Sequence, residues 1–424
     1  MRLGLIDRGP SEKKGKEYYI KDVMGNYLEK IAPLFSHIDL CASLYMRKVL
    51  KKSYAHYKLQ IPNVAVLDLG LPRQKSRIVS ILWFYAKLIK FFFRQVRKWD
   101  ILYVFLPGYA GTIASVISRV FGKPYFVYMG GDWKDVSSYA WRWPGIEKKV
   151  LFPIYHFLNG HFEKMVTRHS AFALVHGNAL QKRYKHLGDK IVLTVPMIDL
   201  TEKDIFLRDG SIDADGVHCI FVGTLIPVKG LIYLIQALAI LKERGFTITL
   251  DLIGTSDESY EQKLRKVIHA LHLNGSVTFR GYVPNGPRLL QIYRESDILV
   301  LPTLSEGFPR VLYEAMSQSL PIVTTPVGGI SGLMEHEVNA LLVPPKNPEA
   351  IAQAVERLII DRELRGNVIQ NGIKTIRELV GKDPKEQLEL LLHTFVPHYK
   401  KWAENHQNGS ARGPYPGKRV VGQF

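Results

Sequence analysis

The sequence is short of three things. It has two cysteines in 424 residues, Cys41 and Cys219. Both stand in apolar, strand-like runs (DLCASL, HCIFV), so they read as small buried hydrophobes in a reducing compartment, not a disulfide, and the count excludes a metal site built on cysteine. The chain also lacks any run of the roughly 18 uncharged apolar residues that a spanning helix needs. The nearest, ILWFYAKLIKFFF (81–93), is interrupted by Lys87 and Lys90. The opening MRLGLIDRGPSEKK has too short an apolar run for a signal peptide, so the expectation is a soluble, cytoplasmic protein or one peripheral on the inner face of the membrane. The third shortage is of acids, and it is local. Residues 1–200 carry 14 Asp+Glu against 32 Lys+Arg, whereas residues 201–424 carry 25 of each, so the whole formal charge of +18 belongs to the first half. That half is expected to meet something anionic.

What the sequence does have is length and alternation. A chain of 424 residues is too long for one hydrophobic core, and 46% hydrophobic with 23% charged residues describes a folded globular protein. Short apolar runs alternate with helical patterns throughout, the signature of parallel sheets flanked by helices. In the first half, strands are predicted at 2–7, 37–42, 64–70, 101–107, 125–130, 171–177 and 191–196. The second half repeats the pattern at 218–223, 248–254, 277–282, 298–302, 321–325 and 340–344. The fold class is therefore α/β, with two Rossmann-like doubly wound domains facing a cleft between the carboxyl ends of their strands. The expected division is one α/β domain over 1–200, a polar, acidic linker over 201–217 and a second α/β domain over 218–383. A C-terminal helix over 384–404 and a Gly/Pro/Arg-rich disordered tail over 405–424 complete it. No internal repeat is evident.

Residues 305–316 read SEGFPRVLYEAM. The strand ILVLP (298–302) leads into this stretch, Pro309 is placed to open a helix, and the helix start aims backbone N–H groups and a positive dipole end above the sheet. Such a helix start favours a phosphate or diphosphate. Glu306 in the loop and Glu314 in the second helical turn flank that position. Carboxylates repel phosphate but accept paired hydrogen bonds from vicinal hydroxyls, so the arrangement suits a nucleotide sugar. Taken singly, either acid is as well explained as a solvated surface residue.

The stretch resembles the donor site of the retaining GT-B glycosyltransferases of the group 1, family 4 type. Their pattern of an acid before Gly-Phe, seven intervening residues and an acid before Ala-Met stands here as Glu306, Gly307, Phe308 and Glu314-Ala315-Met316. The resemblance continues into SLPIVTTPVGG (319–329) and NALLVPP (339–345), and back through IFVGTLIPVKGLIYLIQAL (220–238) and FRGYVP (279–284). It covers roughly 171–362 well, and the first half by architecture only. It implies a hexosyltransferase without cofactor or metal, moving a sugar from a UDP- or GDP-sugar donor. Glu314 would hold the ribose, Glu306 the transferred sugar near its reacting carbon, and Lys229 would neutralise the diphosphate leaving group. Backbone of Gly223, Gly307, Phe308, Pro309, Arg310 and Val311 would approach the phosphates, and Tyr282 and Val283 would pack by the base.

Some positions depart from the family. Thr224 stands where an arginine is usual, and Arg310 is either its substitute or an ordinary helix-surface residue. Gly332 stands where an acid is common, and Glu337 and Ala340 replace two frequent glycines. In YMGGDW (128–133) Met129 or Gly130 takes the place of a histidine, leaving Asp132 as the polar candidate for donor or acceptor hydroxyls, or as a turn residue. Gly9, after the first strand, matches where such enzymes bring backbone near the donor. No acid is placed as a nucleophile for double displacement, so the expectation is same-face displacement with the departing phosphate taking the acceptor's proton. Asp213-Ala214-Asp215 lies in the polar linker and does not read as a metal pair.

In the first half, 45–58, 76–99 and 141–152 interleave Lys and Arg with Trp, Tyr, Phe and Leu. The mixture suits an anionic membrane surface, and helices with solvated lysines are the plainer alternative. Nucleic acid would feel the same charge, but no nucleic-acid motif accompanies it and none is expected as a partner. The acceptor is expected to be a saccharide or a polyprenyl-linked one, in polysaccharide or glycoconjugate synthesis. The rivals are a catalytically silent scaffold of the same fold that binds nucleotide or membrane, and a nucleotide-sugar epimerase.

Overall fold

The computed structural model describes residues 1–15, 17–45, 57–70, 78–106, 108–130, 159–195, 198, 200–208, 212, 216–307 and 309–406. Residues 407–424 of the expected tail, the triplet 213–215 and the basic stretch 141–152 lie outside them, whereas residues 405 and 406 of that tail are helical.

The first sheet holds β1 (Arg2–Lys14), β2 (Glu17–Ile20), β3 (His37–Tyr45), β4 (Tyr57–Lys58), β5 (Val64–Asp68), β6 (Ile101–Leu106), β7 (Tyr125–Met129), β8 (Ala173–Val175) and β9 (Ile191–Leu193). Seven of these strands pair in parallel in the order β5, β3, β1, β6, β7, β8, β9. The second sheet holds β10 (Val217–Val222), β11 (Ile248–Ile253), β12 (Val277–Gly281), β13 (Ile298–Leu301), β14 (Ile322–Thr324) and β15 (Leu341–Leu342). All six are parallel, in the order β12, β11, β10, β13, β14, β15. Each sheet thus reverses its winding once, between β1 and β6 and between β10 and β13. At such a reversal the helices after the two strands leave to opposite faces and open a crevice at the strand ends.

Parallel strands covered on both faces must be apolar throughout, and β13 (ILVL) is buried at every residue. The helices between strands are fixed at their starts by side chains that take otherwise unpaired N–H groups. Asp257 accepts from Tyr260, Asn347 from Ala350 and Asp361 from Leu364. In the first sheet the buried Asp39 accepts from Arg2 Nε at 2.8 Å and Trp99 Nε1 at 2.7 Å. Burial alone would raise its carboxyl, and the donors from Arg2, Trp99 and His37 outweigh that and hold it below the usual carboxylate range.

Three features differ from the sequence expectation. The first sheet carries an antiparallel extension, with the far end of β1 pairing β2, and β2 pairing β4. The runs that form it, EYYI and YK, are too short and polar to stand out. Because β1 continues into this extension, Gly9 lies inside the strand, at the register break between Ile6 and Pro10, and not in a loop after it. Residues 384–404 form two helices, Pro384–Phe395 and Pro397–His406, because Pro397 cannot continue the first.

Those two helices return to the first domain. Leu388, Leu392, Val396 and Tyr399 share a buried cluster with Leu3, Leu5, Leu28 and Phe126. Gln387, almost fully buried, donates to Leu193 O at 2.7 Å and accepts from Val195 N at 2.8 Å, which satisfies both ends of its amide.

Candidate active site

The crevice of the second domain is lined by the loops after β10 and β13, and two glycines set its geometry. Gly230 has φ +72°, and a Cβ there would lie 2.0 Å from Pro302 O. The start of the helix Leu231–Glu243 therefore presses onto the loop after β13, where Leu304 N donates to Val228 O at 2.7 Å. Gly328 has φ +55°, and a Cβ there would lie 1.8 Å from Glu306 O. The loop after β14 thus closes on the backbone of Glu306, and Gly329 N donates to Gly307 O at 3.0 Å. Any side chain at either position would push these loops apart.

The result is that Lys229 Nζ hydrogen-bonds Glu306 Oε2, with the two side chains 17% and 15% exposed. Cation and acid sit together where the helix Arg310–Ser317 begins. Pro309 is the residue before that helix, extended and without a side-chain cap, so it lies one position earlier than the first helical residue. The first-turn N–H groups of such a helix have no intrahelical acceptor and point at the crevice.

One turn into that helix, Glu314 Oε2 accepts from Tyr293 OH at 2.9 Å. Burial, with the neighbouring Glu314 carboxylate second, pushes the Tyr293 hydroxyl well above its ordinary pKa, so it is a fixed donor. Glu306 and Glu314 are thereby held on either side of the helix start by different partners.

Arg310 pairs with Asn285. With the Asn285 amide oxygen turned toward it, its guanidinium donates twice, at 3.1 and 3.2 Å. Arg310, Asn285 and Glu314 line a cavity of about 340 Å³ with Leu290, and with Asp22 and Asn26 from the first-domain helix Asp22–Ile31. Arg310 therefore lies on the Glu314 side of the crevice. Tyr282 is 43% exposed, and Val283 lines a separate cavity of about 290 Å³ with Arg280 and Arg288. Gly223 follows the last residue of β10, Thr224 is exposed just after it, and Val311 is half-buried on the helix. Asp132 and Phe308 lie outside the described residues.

Sequence reasoning missed His176. Met129, one of the two positions compared with the family's histidine, is fully buried. Just after the neighbouring strand β8, His176 Nδ1 pairs with Tyr128 OH at 2.7 Å. Burial lowers the imidazole pKa to about 3, so the ring is neutral near pH 7. The next residue, Gly177, meets the second domain: a Cβ there would lie 3.3 Å from Gly329 Cα. The run ALVHG ended a predicted strand, and nothing in its pattern distinguished the imidazole from a core residue. Among the described residues no group of three metal-ligating side chains is present, and no helix is long and apolar enough to cross a membrane.

Residues 203–375 match the family described as glycosyl transferases group 1. Over 177 residues the chain is 35% identical to an uncharacterized glycosyltransferase of Methanocaldococcus jannaschii, a match covering 42% of this chain and 44% of that one. Over 184 residues it is 30% identical to D-inositol 3-phosphate glycosyltransferase of Pseudarthrobacter chlorophenolicus, again 42% of this chain and 44% of the relative. The chain thus spans about half the length of these curated relatives. Its structure superposes on that of Anabaena HepE in complex with UDP-glucose with TM-score 0.65 and 18% identity, over 93% of this chain and 100% of that one. Sucrose-phosphate synthase from Thermosynechococcus elongatus gives TM-score 0.65 and 17% identity, over 95% and 99%. At these identities the likeness shows the fold, two doubly wound domains in the GT-B arrangement. The match over 203–375 thus places that segment with the group 1 glycosyl transferases, and the chain as a whole has the GT-B fold.

Proposed function

We propose that this protein transfers a hexosyl group, with retention of configuration and without a metal, from a nucleoside diphosphate sugar to an acceptor held by the basic first domain. The observation that carries the reading is the Lys229–Glu306 pair at the start of the helix Arg310–Ser317. The diphosphate fits against the helix N-terminus with Lys229 beside it, and the ribose hydroxyls fit Glu314. Glu306, released from Lys229 as the phosphates take that cation, accepts from hydroxyls of the transferred sugar.

In the step itself the bond from the anomeric carbon to the β-phosphate oxygen breaks, and the electron pair leaves with the diphosphate. The acceptor oxygen attacks from the same face and its proton passes to that phosphate oxygen. This asks the protein for positioning and for charge stabilisation of the leaving group, which Lys229 and the helix dipole supply. HepE, a structural neighbour, is described in complex with UDP-glucose, which favours a UDP-sugar among donors. The acceptor is a saccharide or a polyprenyl-linked saccharide on an anionic membrane face, a class that fits both the charge and the aromatics of the first domain.

The test is incubation with a panel of UDP- and GDP-sugars and saccharide acceptors, in buffer with EDTA, reading diphosphate release and the anomeric proton coupling of the product. An α-linked product from an α-linked donor supports the proposal. A β-linked product, or activity only on adding a divalent metal, overturns retention or metal independence respectively. No diphosphate release from any donor overturns the transfer itself.

A further inference from the structure

The helix Ile78–Gln95 carries large apolar side chains on its outer as well as its inner side. Its inner face is apolar as expected, with Leu88 and Phe92 buried, and Val96 is buried in the turn that follows. Its opposite face carries Trp83, 67% exposed, and Phe93, 39% exposed, among Lys87, Lys90, Arg94 and Arg97. At helical spacing Trp83, Lys87, Lys90 and Arg94 share one stripe opposite the buried side, Phe93 lies on its flank, and Arg97 follows in the turn Val96–Lys98. Single exposed hydrophobics need no explanation, but a row of them on one stripe does.

The stripe continues onto the neighbouring helix Tyr109–Val120. Phe93 packs edge-to-face on Phe121 with centroids 5.6 Å apart, and the Arg97 guanidinium lies 4.8 Å over the same ring. Next to that junction Val120 is 67% exposed and Val116 41%. Lys87 Nζ lies 5.8 Å from the Trp83 ring, so the cation and the indole form one amphipathic feature.

The charge around this surface has one sign. Between Asp68 and Asp132 the sequence contains ten Lys+Arg and a single acid, Asp100. That acid is used within the fold, where Asp100 Oδ2 accepts from Arg2 N at 2.8 Å. A face that only had to be solvated would carry no aromatic row, and a protein partner of ordinary composition would not require cations without acids. A bilayer with anionic headgroups meets both demands, since the cations sit at the phosphates while Trp83, Phe93 and Val120 enter the acyl boundary.

We propose that the stripe of helix Ile78–Gln95, extended by Val116 and Val120, is the face on which the protein docks to an anionic lipid bilayer. This deepens the reading that the first domain addresses a lipid-borne acceptor, and its test is independent of catalysis.

The experiment is flotation of the full chain with vesicles of phosphatidylcholine alone or mixed equally with phosphatidylglycerol, without nucleotide sugar, at low and physiological salt. The wild type is expected to float with the mixed vesicles and not with phosphatidylcholine. K87E/K90E/R94E should weaken the partition by about a hundredfold or more, since each cation near such a surface is worth roughly fivefold. W83S/F93S should bind at low salt and dissociate at physiological salt. All these residues are exposed, so unchanged melting curves will show that the variants fold. Wild-type flotation on neutral vesicles alone, absence of flotation, or a charge-reversed variant that floats as well as the wild type would overturn the proposal. Retention on double-stranded DNA without vesicle binding would overturn it in favour of nucleic acid.

Discussion

Lys229 Nζ hydrogen-bonds Glu306 Oε2 although the two residues are 77 positions apart, one from the loop after β10 and the other from the loop after β13. The contact exists because Gly230 and Gly328 let three loops close on one another. It puts a cation and an acid at a helix start that needs neither for stability. Removing one member tests function more than folding.

Glu306→Gln should lower turnover by about a hundredfold to a thousandfold while leaving nucleoside diphosphate affinity within a few-fold. Stability should fall by only about 1 kcal/mol, because the pair keeps some contact with water. Steady-state rates and a nucleotide titration on the same preparation check it.

At Glu314 the expected effect is on binding. Glu314→Gln should raise the Kd for nucleotide about tenfold, because a carboxylate gives up its charge-assisted bonds to vicinal hydroxyls. Glu314→Ala should in addition cost about 1–3 kcal/mol of stability, since the buried Tyr293 hydroxyl loses its acceptor. In Tyr293→Phe that extra cost should disappear from the comparison, which a thermal-melt double-mutant cycle will show.

His176 gives a pH dependence. Its folded pKa of about 3 lies below the ordinary 6.5, so below pH 6.5 the unfolded chain takes up a proton that the folded chain refuses. Stability is therefore lost as pH falls from 6.5 toward 3. His176→Gln, which cannot titrate, should show a shallower fall of Tm over that range and no difference in slope above pH 7.

The two terminal helices are predicted to hold the first domain together. Leu392 is fully buried in the cluster that includes Leu3 and Leu28, so Leu392→Ala should cost about 2–5 kcal/mol. Truncation at Lys382 should also expose that cluster, read as binding of a hydrophobic dye by the folded remainder.

Much of this was legible before the structure. The apolar runs gave all six strands of the second sheet and the seven parallel strands of the first, because burial on both faces forces continuous hydrophobicity. The antiparallel extension β2 and β4 was not legible, since the runs EYYI and YK are too short and too polar to show a period-2 pattern. Pro397 marked the break in the last helix, but helical periodicity on both sides masked it. At the site, Glu306 and Glu314 flank a helix start, but it was the resemblance to the glycosyltransferase donor pattern that singled out both acids and Lys229. The turn of Arg310 toward Asn285 and the pairing of Tyr128 with His176 depend on tertiary contacts that no local pattern encodes.

The most direct measurement is calorimetric titration of nucleoside di- and monophosphates of uridine and guanosine into the wild type, Lys229→Ala and Glu314→Gln. One base should bind, with the diphosphate favoured at least tenfold over the monophosphate. Lys229→Ala should erase that preference, and Glu314→Gln should weaken both forms equally. Binding that neither substitution changes would contradict the account.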